Sequence, residues 1–159
     1  MDEIEALTQA LKLERDGRAF YLQAAKWSAD AETMSMFKRL AADEENHYAY
    51  LDRQRKALQE GNPWQEIPEL DKVPTQDAGV PIFPKGLKAL SQLPENPSLE
   101  DALLYGLGAE SRSCDLYSRS ARQCADPQGR AMFEKLVALE REHFDLLMLR
   151  YESQFSYPR

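Results

Sequence analysis

Apolar residues recur at helical spacing in four stretches of the chain. Ile4, Leu7, Leu11, Tyr21 and Ala25 share one stripe of a segment spanning about 3–28, with the three- and four-residue steps of a single helix face. A second stripe, Phe37, Leu40 and Leu51, lies in a segment of about 30–60 that Asp30 can cap and Gly61 can stop. Ser98 with Asp101 three residues on has the form of a capping box and predicts a third helix over about 98–124. Asp126-Pro127 places a cap before a proline at the first helical position, opening a fourth helix over 127–154. Nothing in these segments reads as a strand, so the expected fold class is all-α, a four-helix bundle within one domain over 1–159.

Seven of the nine prolines fall between Gly61 and Pro97. A connection this long is unusual unless it has work to do. A helix of ~30 residues is about 45 Å long, and extended chain covers that distance in roughly 14 residues. The segment 61–97 can therefore run the length of a bundle and reset the chain direction, as in one-crossover bundles. It leaves room for a short helix near Lys85–Gln92. The flanking halves also repeat one another at a shift of 96. Leu7, Leu11, Glu14, Tyr21, Ala25, Asp30, Met36, Phe37, Leu40, Ala42, Glu44, His47 and Leu51 recur as Leu103, Leu107, Glu110, Tyr117, Ala121, Asp126, Met132, Phe133, Leu136, Ala138, Glu140, His143 and Leu147. Two helical hairpins of common design, related by a pseudo-twofold axis, are implied.

The stripes are not wholly apolar. Glu14 lies in the first, Glu44 and His47 in the second, Glu110 in the third, and Glu140 and His143 in the fourth. Four carboxylates and both histidines of the chain are thus aimed at one core. Their heights agree: the midpoints of 14/44 and of 110/140 fall on the two hairpin turns, so each glutamate pair is level, about 22 Å from its loop at helical rise. Were these glutamates to face water instead, both histidines would carry Glu three residues ahead by chance, roughly a one-in-a-hundred event. A buried carboxylate without a partner costs several kcal/mol, and four would rival the about 5–15 kcal/mol that holds a domain together. Arg18 is the only cation on a stripe. Two divalent cations would balance four carboxylates charge for charge.

Composition narrows the partners. A net charge of −7 disfavours nucleic acid or an anionic membrane. No stretch approaches the 18 apolar residues of a membrane span, and the acidic, amphipathic N-terminal segment lacks a secretory h-region. Cys114 and Cys124 would lie about 15 Å apart on one helix, too far to bridge. A reduced, cytoplasmic protein is expected.

A Glu from each of two helices with Glu-x-x-His from the other two is the known pattern of ferritin-like carboxylate di-metal bundles. In detail "LKLERDGRAFYLQAA" with "MFKRLAADEENHYAYL", and "ALLYGLGAESRSCDLYSRSA" with "MFEKLVALEREHFDLL", resemble the two hairpins of the rubrerythrin-type ferritin-like family. The resemblance implies two iron ions, with manganese or zinc possible in their place. Glu14 and His47 would be terminal ligands of one, Glu110 and His143 of the other, and Glu44 and Glu140 would bridge. Tyr21 and Tyr117 would hydrogen-bond ligand glutamates across the bundle. It further implies redox activity towards hydrogen peroxide or O2 and a homodimer. With no CxxC in the sequence, electrons would come from a separate rubredoxin-like donor. Iron handling by a ferroxidase and a non-catalytic metal-binding or sensory bundle are the alternatives. One departure stands out: rubrerythrins carry a second inward glutamate three residues after the third-helix ligand, whereas here that position is Ser113 and its repeat mate is Gly17. Asp43, Glu45 and Glu142 are expected to be solvated, Cys114 to be a buried inert thiol, and Trp27 and Trp64 to pack a helix end and the crossover.

Overall fold

The computed structural model describes residues 1–74 and 80–155. Its helices are α1 (Glu3–Trp27), α2 (Ala31–Gln59), α3 (Leu99–Gln123) and α4 (Pro127–Gln154), with a single 3-10 turn at Pro68–Leu70. No strand occurs among the described residues. None of the helices is long and apolar enough to cross a membrane.

The ends are set by local chemistry that repeats with the sequence. Asp2 and Glu5 form a capping box at α1, and Ser98 and Asp101 form its counterpart at α3; each box satisfies two backbone N–H groups left over at a helix start. Asp30 accepts from Thr33 N at the start of α2, and Asp126 accepts from Gln128 N at the start of α4, where Pro127 lacks a donor that would otherwise go unpaired. Gly61 ends α2 with φ +81°, and Asn62 N returns to Ala57 O. This is the Schellman closure, whose left-handed residue favours glycine.

α1 packs along α2 and α3 along α4, and the two hairpins meet chiefly through α1 and α3, while α2 and α4 stand farther apart. Apolar packing gathers at both ends of the bundle. One core joins Leu7, Leu11 and Leu51 to Tyr117, Phe133 and Leu136; the other joins Tyr21, Phe37 and Leu40 to Leu103, Leu107 and Leu147. The start of α1 therefore lies beside the end of α3, and the helices run antiparallel.

The crossover touches both cores. Trp64, Ile67 and Leu70 seal the first, while Phe83, Leu87 and Leu93 pack on the second, so the connection does travel the length of the bundle. Gln54 fixes its beginning: the side-chain amide donates to Gln65 O and accepts from Gln65 N, both at 2.7 Å. The short helix expected near Lys85–Gln92 is not formed. Pro84 and Leu87 close a turn in which Gly86 adopts φ +89°, and Leu87 drops into the core. A turn with a left-handed glycine interrupts any helix there. Trp64 packs the crossover onto the core as expected, whereas Trp27 at the end of α1 is only partly covered, at 41% exposure.

Candidate metal centre

Between the two apolar cores the inward stripes turn polar. Glu14, Glu44, His47, Glu110, Glu140 and His143 are all buried, and one donor atom from each of two overlapping sets converges. Glu14, Glu44, His47 and Glu140 form one set; Glu44, Glu110, Glu140 and His143 form the other, with the donor atoms of each within 4.8 Å of one another. Glu44 and Glu140 belong to both. All six residues singled out from the sequence are brought together.

The geometry repeats about the pseudo-twofold. His47 Nδ1 lies 2.7 Å from Glu140 Oε1 and 3.5 Å from Glu14 Oε2. His143 Nδ1 lies 3.1 Å from Glu44 Oε1 and 3.4 Å from Glu110 Oε1. Each imidazole thus reaches across to the glutamate of the opposite Glu-x-x-His helix, and these long side chains span the gap between α2 and α4. The two rings stack with centroids 5.6 Å apart and 17° between planes. Tyr21 donates to Glu110 Oε1 and Tyr117 to Glu14 Oε1, both at 2.5 Å. Each tyrosine thereby holds a glutamate of the other hairpin, as expected.

Burial and crowding displace the proton affinities. Burial, and then the charges of Glu14, Glu140 and Glu110, raise Glu44 well above the usual carboxylate range. Burial and the charge of Glu140 lift Glu110 to about 8. Burial also works against the ionised Glu14, but His47 and hydrogen bonds from Glu44, His47 and Tyr117 hold it below normal. Glu140 is opposed by burial and by Glu14, yet hydrogen bonds with Glu110, His143 and His47 keep it low. Burial disfavours charge on His47, and the glutamates around it overcome that to hold its pKa at about 10. His143 is raised well above normal in the same way, against burial, by Glu110 and then by Asp43. With two glutamates protonated and two imidazoles charged, the metal-free centre is formally neutral.

Among the described residues, three buried carboxylate oxygens lack a well-formed hydrogen bond: Glu14 Oε2, with His47 Nδ1 at 3.5 Å, Glu140 Oε2, with His143 Nδ1 at 3.7 Å, and Glu110 Oε2. Orphaned acceptors of this kind are rare and costly. Here they belong to the two donor sets, so cations between the helices would satisfy them. The carboxylate and imidazole donors suit iron, manganese or zinc. Arg18 does not compete, because it turns outward to pair with Glu45 at the surface.

One functional contact departs from expectation. Asp43, expected to be a solvated neighbour, accepts from His143 Nε2 at 3.0 Å. It lies off the stripe of α2, and its repeat mate is Leu139, so neither spacing nor the repeat singles it out. Cys114 behaves as expected: buried, its thiol aimed at Val137 O at 3.8 Å, and its pKa pushed up by burial.

The Rubrerythrin family model matches residues 5–151. No curated protein and no solved structure matches the chain.

Proposed function

The chain belongs to the rubrerythrin family and has the family's ferritin-like four-helix bundle, and from that premise we propose that its buried cluster holds two iron ions and makes the protein an oxidoreductase acting on hydrogen peroxide or O2. The observation that carries this reading is the pair of donor sets sharing Glu44 and Glu140. Glu14 and His47 would serve one ion, Glu110 and His143 the other, and the two shared carboxylates both. A ferrous pair supplies two electrons, which matches two-electron reduction of a peroxide.

The protein's own groups set the conditions. Tyr117 and Tyr21 hold Oε1 of Glu14 and of Glu110, which fixes each carboxylate and leaves its Oε2 buried without a hydrogen bond. The apolar cores on either side exclude bulk water and so strengthen every electrostatic interaction between them. Asp43 keeps a proton on His143 Nε2, so that Nδ1 offers its lone pair inward. Electrons for turnover would come from a separate donor protein.

Anaerobic reconstitution with Fe(II), followed by metal analysis, tests the reading. About two iron per chain are expected, lost in Glu44→Ala. In stopped-flow absorbance the ferrous protein should be oxidised faster by hydrogen peroxide than by O2. Indifference to both oxidants would sink the redox assignment while leaving metal binding intact.

A further inference from the structure

A cavity of about 210 Å3 runs inward between α1 and α3. Its mouth is formed by Lys12, Asp16 and Arg112, which are exposed, and its floor by Glu44 and Glu110, which are buried. Gly17 and Ser113 form its walls. These two positions are repeat mates, one turn beyond Glu14 and Glu110 on the same stripes, so both halves of the molecule leave out a large side chain at the same place. At Gly17 even a Cβ would come to 3.4 Å from Glu44 Oε2, so anything longer would enter the cavity. The space is therefore a passage from solvent to two glutamates of the centre, far larger than the about 30 Å3 share of one water.

We propose that this cavity is a binding pocket for a small carboxylate such as formate, seated beside Glu44 and Glu110 where neither repeat supplies a side chain. The inference rests on the reading that the cluster holds two cations. Without them, nothing on the floor draws an anion in. With them, the four carboxylates are neutralised charge for charge, so a further carboxylate is no longer repelled and can offer its oxygens to an ion. The rim favours the same sign: Lys12 and Arg112 outweigh Asp16 by one positive charge, with Lys12 Nζ 2.6 Å from Asp16 Oδ2. Ser113 adds a hydroxyl donor to the wall. A planar anion with two oxygens has the donor chemistry of the glutamates already present and is small enough to pass.

Cobalt(II) tests this without any oxidant, since its visible absorption reports the ligands around it. Protein loaded with two cobalt ions is titrated with sodium formate, with sodium chloride at equal ionic strength as the comparison. Formate should shift the cobalt bands saturably in the wild type, and chloride should not. Ser113→Leu, which fills the passage, should weaken formate binding at least tenfold while keeping two cobalt ions. Ser113→Glu, which supplies a carboxylate from the chain, should abolish the response. If Ser113→Leu fails to fold, Gly17→Ala carries the test, because its added Cβ makes only ordinary contact and should weaken formate severalfold. Two bound cobalt ions whose bands ignore formate, an equal response to chloride, or unaltered formate binding in the filled variant would each overturn the pocket alone. Failure to bind cobalt would instead overturn the cation reading beneath it.

Discussion

Asp43 makes the two halves of the centre unequal. His143 is held at both ring nitrogens, Nδ1 facing Glu44 at 3.1 Å and Nε2 facing Asp43 Oδ2 at 3.0 Å. A carboxylate beside one ring nitrogen fixes the tautomer, orients the ring and raises the basicity of the other nitrogen. The repeat places Leu139 at the corresponding position for His47, where no carboxylate can do the same. Asp43→Ala is therefore expected to weaken one of two bound cations about 10–100-fold and leave the other unchanged. A zinc or cobalt titration followed by calorimetry would resolve one tight and one weakened site; two sites as tight as in the wild type would refute the role. The same comparison shows what was legible in the sequence. The six central residues could be read because each sits on an apolar stripe, where a polar residue needs a reason, and because each recurs 96 positions on. Tyr21 and Tyr117 passed the same two tests. Asp43 passed neither, since its importance arises from a partner on another helix.

At the scale of elements, helix ends were readable where a side chain closes them locally, as at Asp30, Ser98, Gly61 and Asp126-Pro127. The crossover was readable as a length and a task, but not as a conformation. Residues near Lys85–Gln92 have helix-compatible composition, yet the Gly86 turn and the burial of Leu87 decide their path. Tertiary packing outweighs weak local preference there. Gly129 in the first turn of α4 is a second such case. A Cβ there would meet Trp64 Cε2 at 2.6 Å and Cys124 Sγ at 2.7 Å, so the helix needs glycine to let the crossover tryptophan seat. Gly129→Ala sets two effects against each other. Alanine gains about 1 kcal/mol in helix propensity, while overpacking a rigid indole costs about 1–3 kcal/mol. The steric cost should win, lowering the unfolding free energy of the metal-free protein by a net of about 1 kcal/mol and moving its urea midpoint down. Two metal ions should still bind, because Glu140 lies three turns further along α4. An unchanged or higher midpoint would show that Trp64 can move aside.

Over the whole molecule, the centre ties folding to both protons and metal. In the metal-free protein the fold raises His47 from 6.5 to about 10 and Glu110 from 4.5 to about 8, and it raises His143 and Glu44 in the same direction. A group raised on folding contributes stability that is complete below its unfolded pKa and is lost as pH climbs through the folded one. The His47 contribution is therefore whole below about 6.5 and fades towards 10, while that of Glu110 fades between 4.5 and about 8. Glu14 and Glu140 are lowered on folding, so their contribution is present above the ordinary carboxylate range and is lost in acid. The metal-free protein should thus be most stable near about pH 4.5 and lose stability steadily towards pH 8.5. Cations replace those protons, so the loaded protein must behave oppositely. Deprotonated ligands bind metal better, and binding that favours the folded state is folding free energy. Its stability should hold or rise over the same interval. Thermal unfolding of chelator-treated and zinc-loaded protein at pH 6, 7 and 8.5 separates the two slopes. Parallel curves would mean that the buried carboxylates and imidazoles do not exchange protons for metal, and that the centre is held by its hydrogen bonds alone.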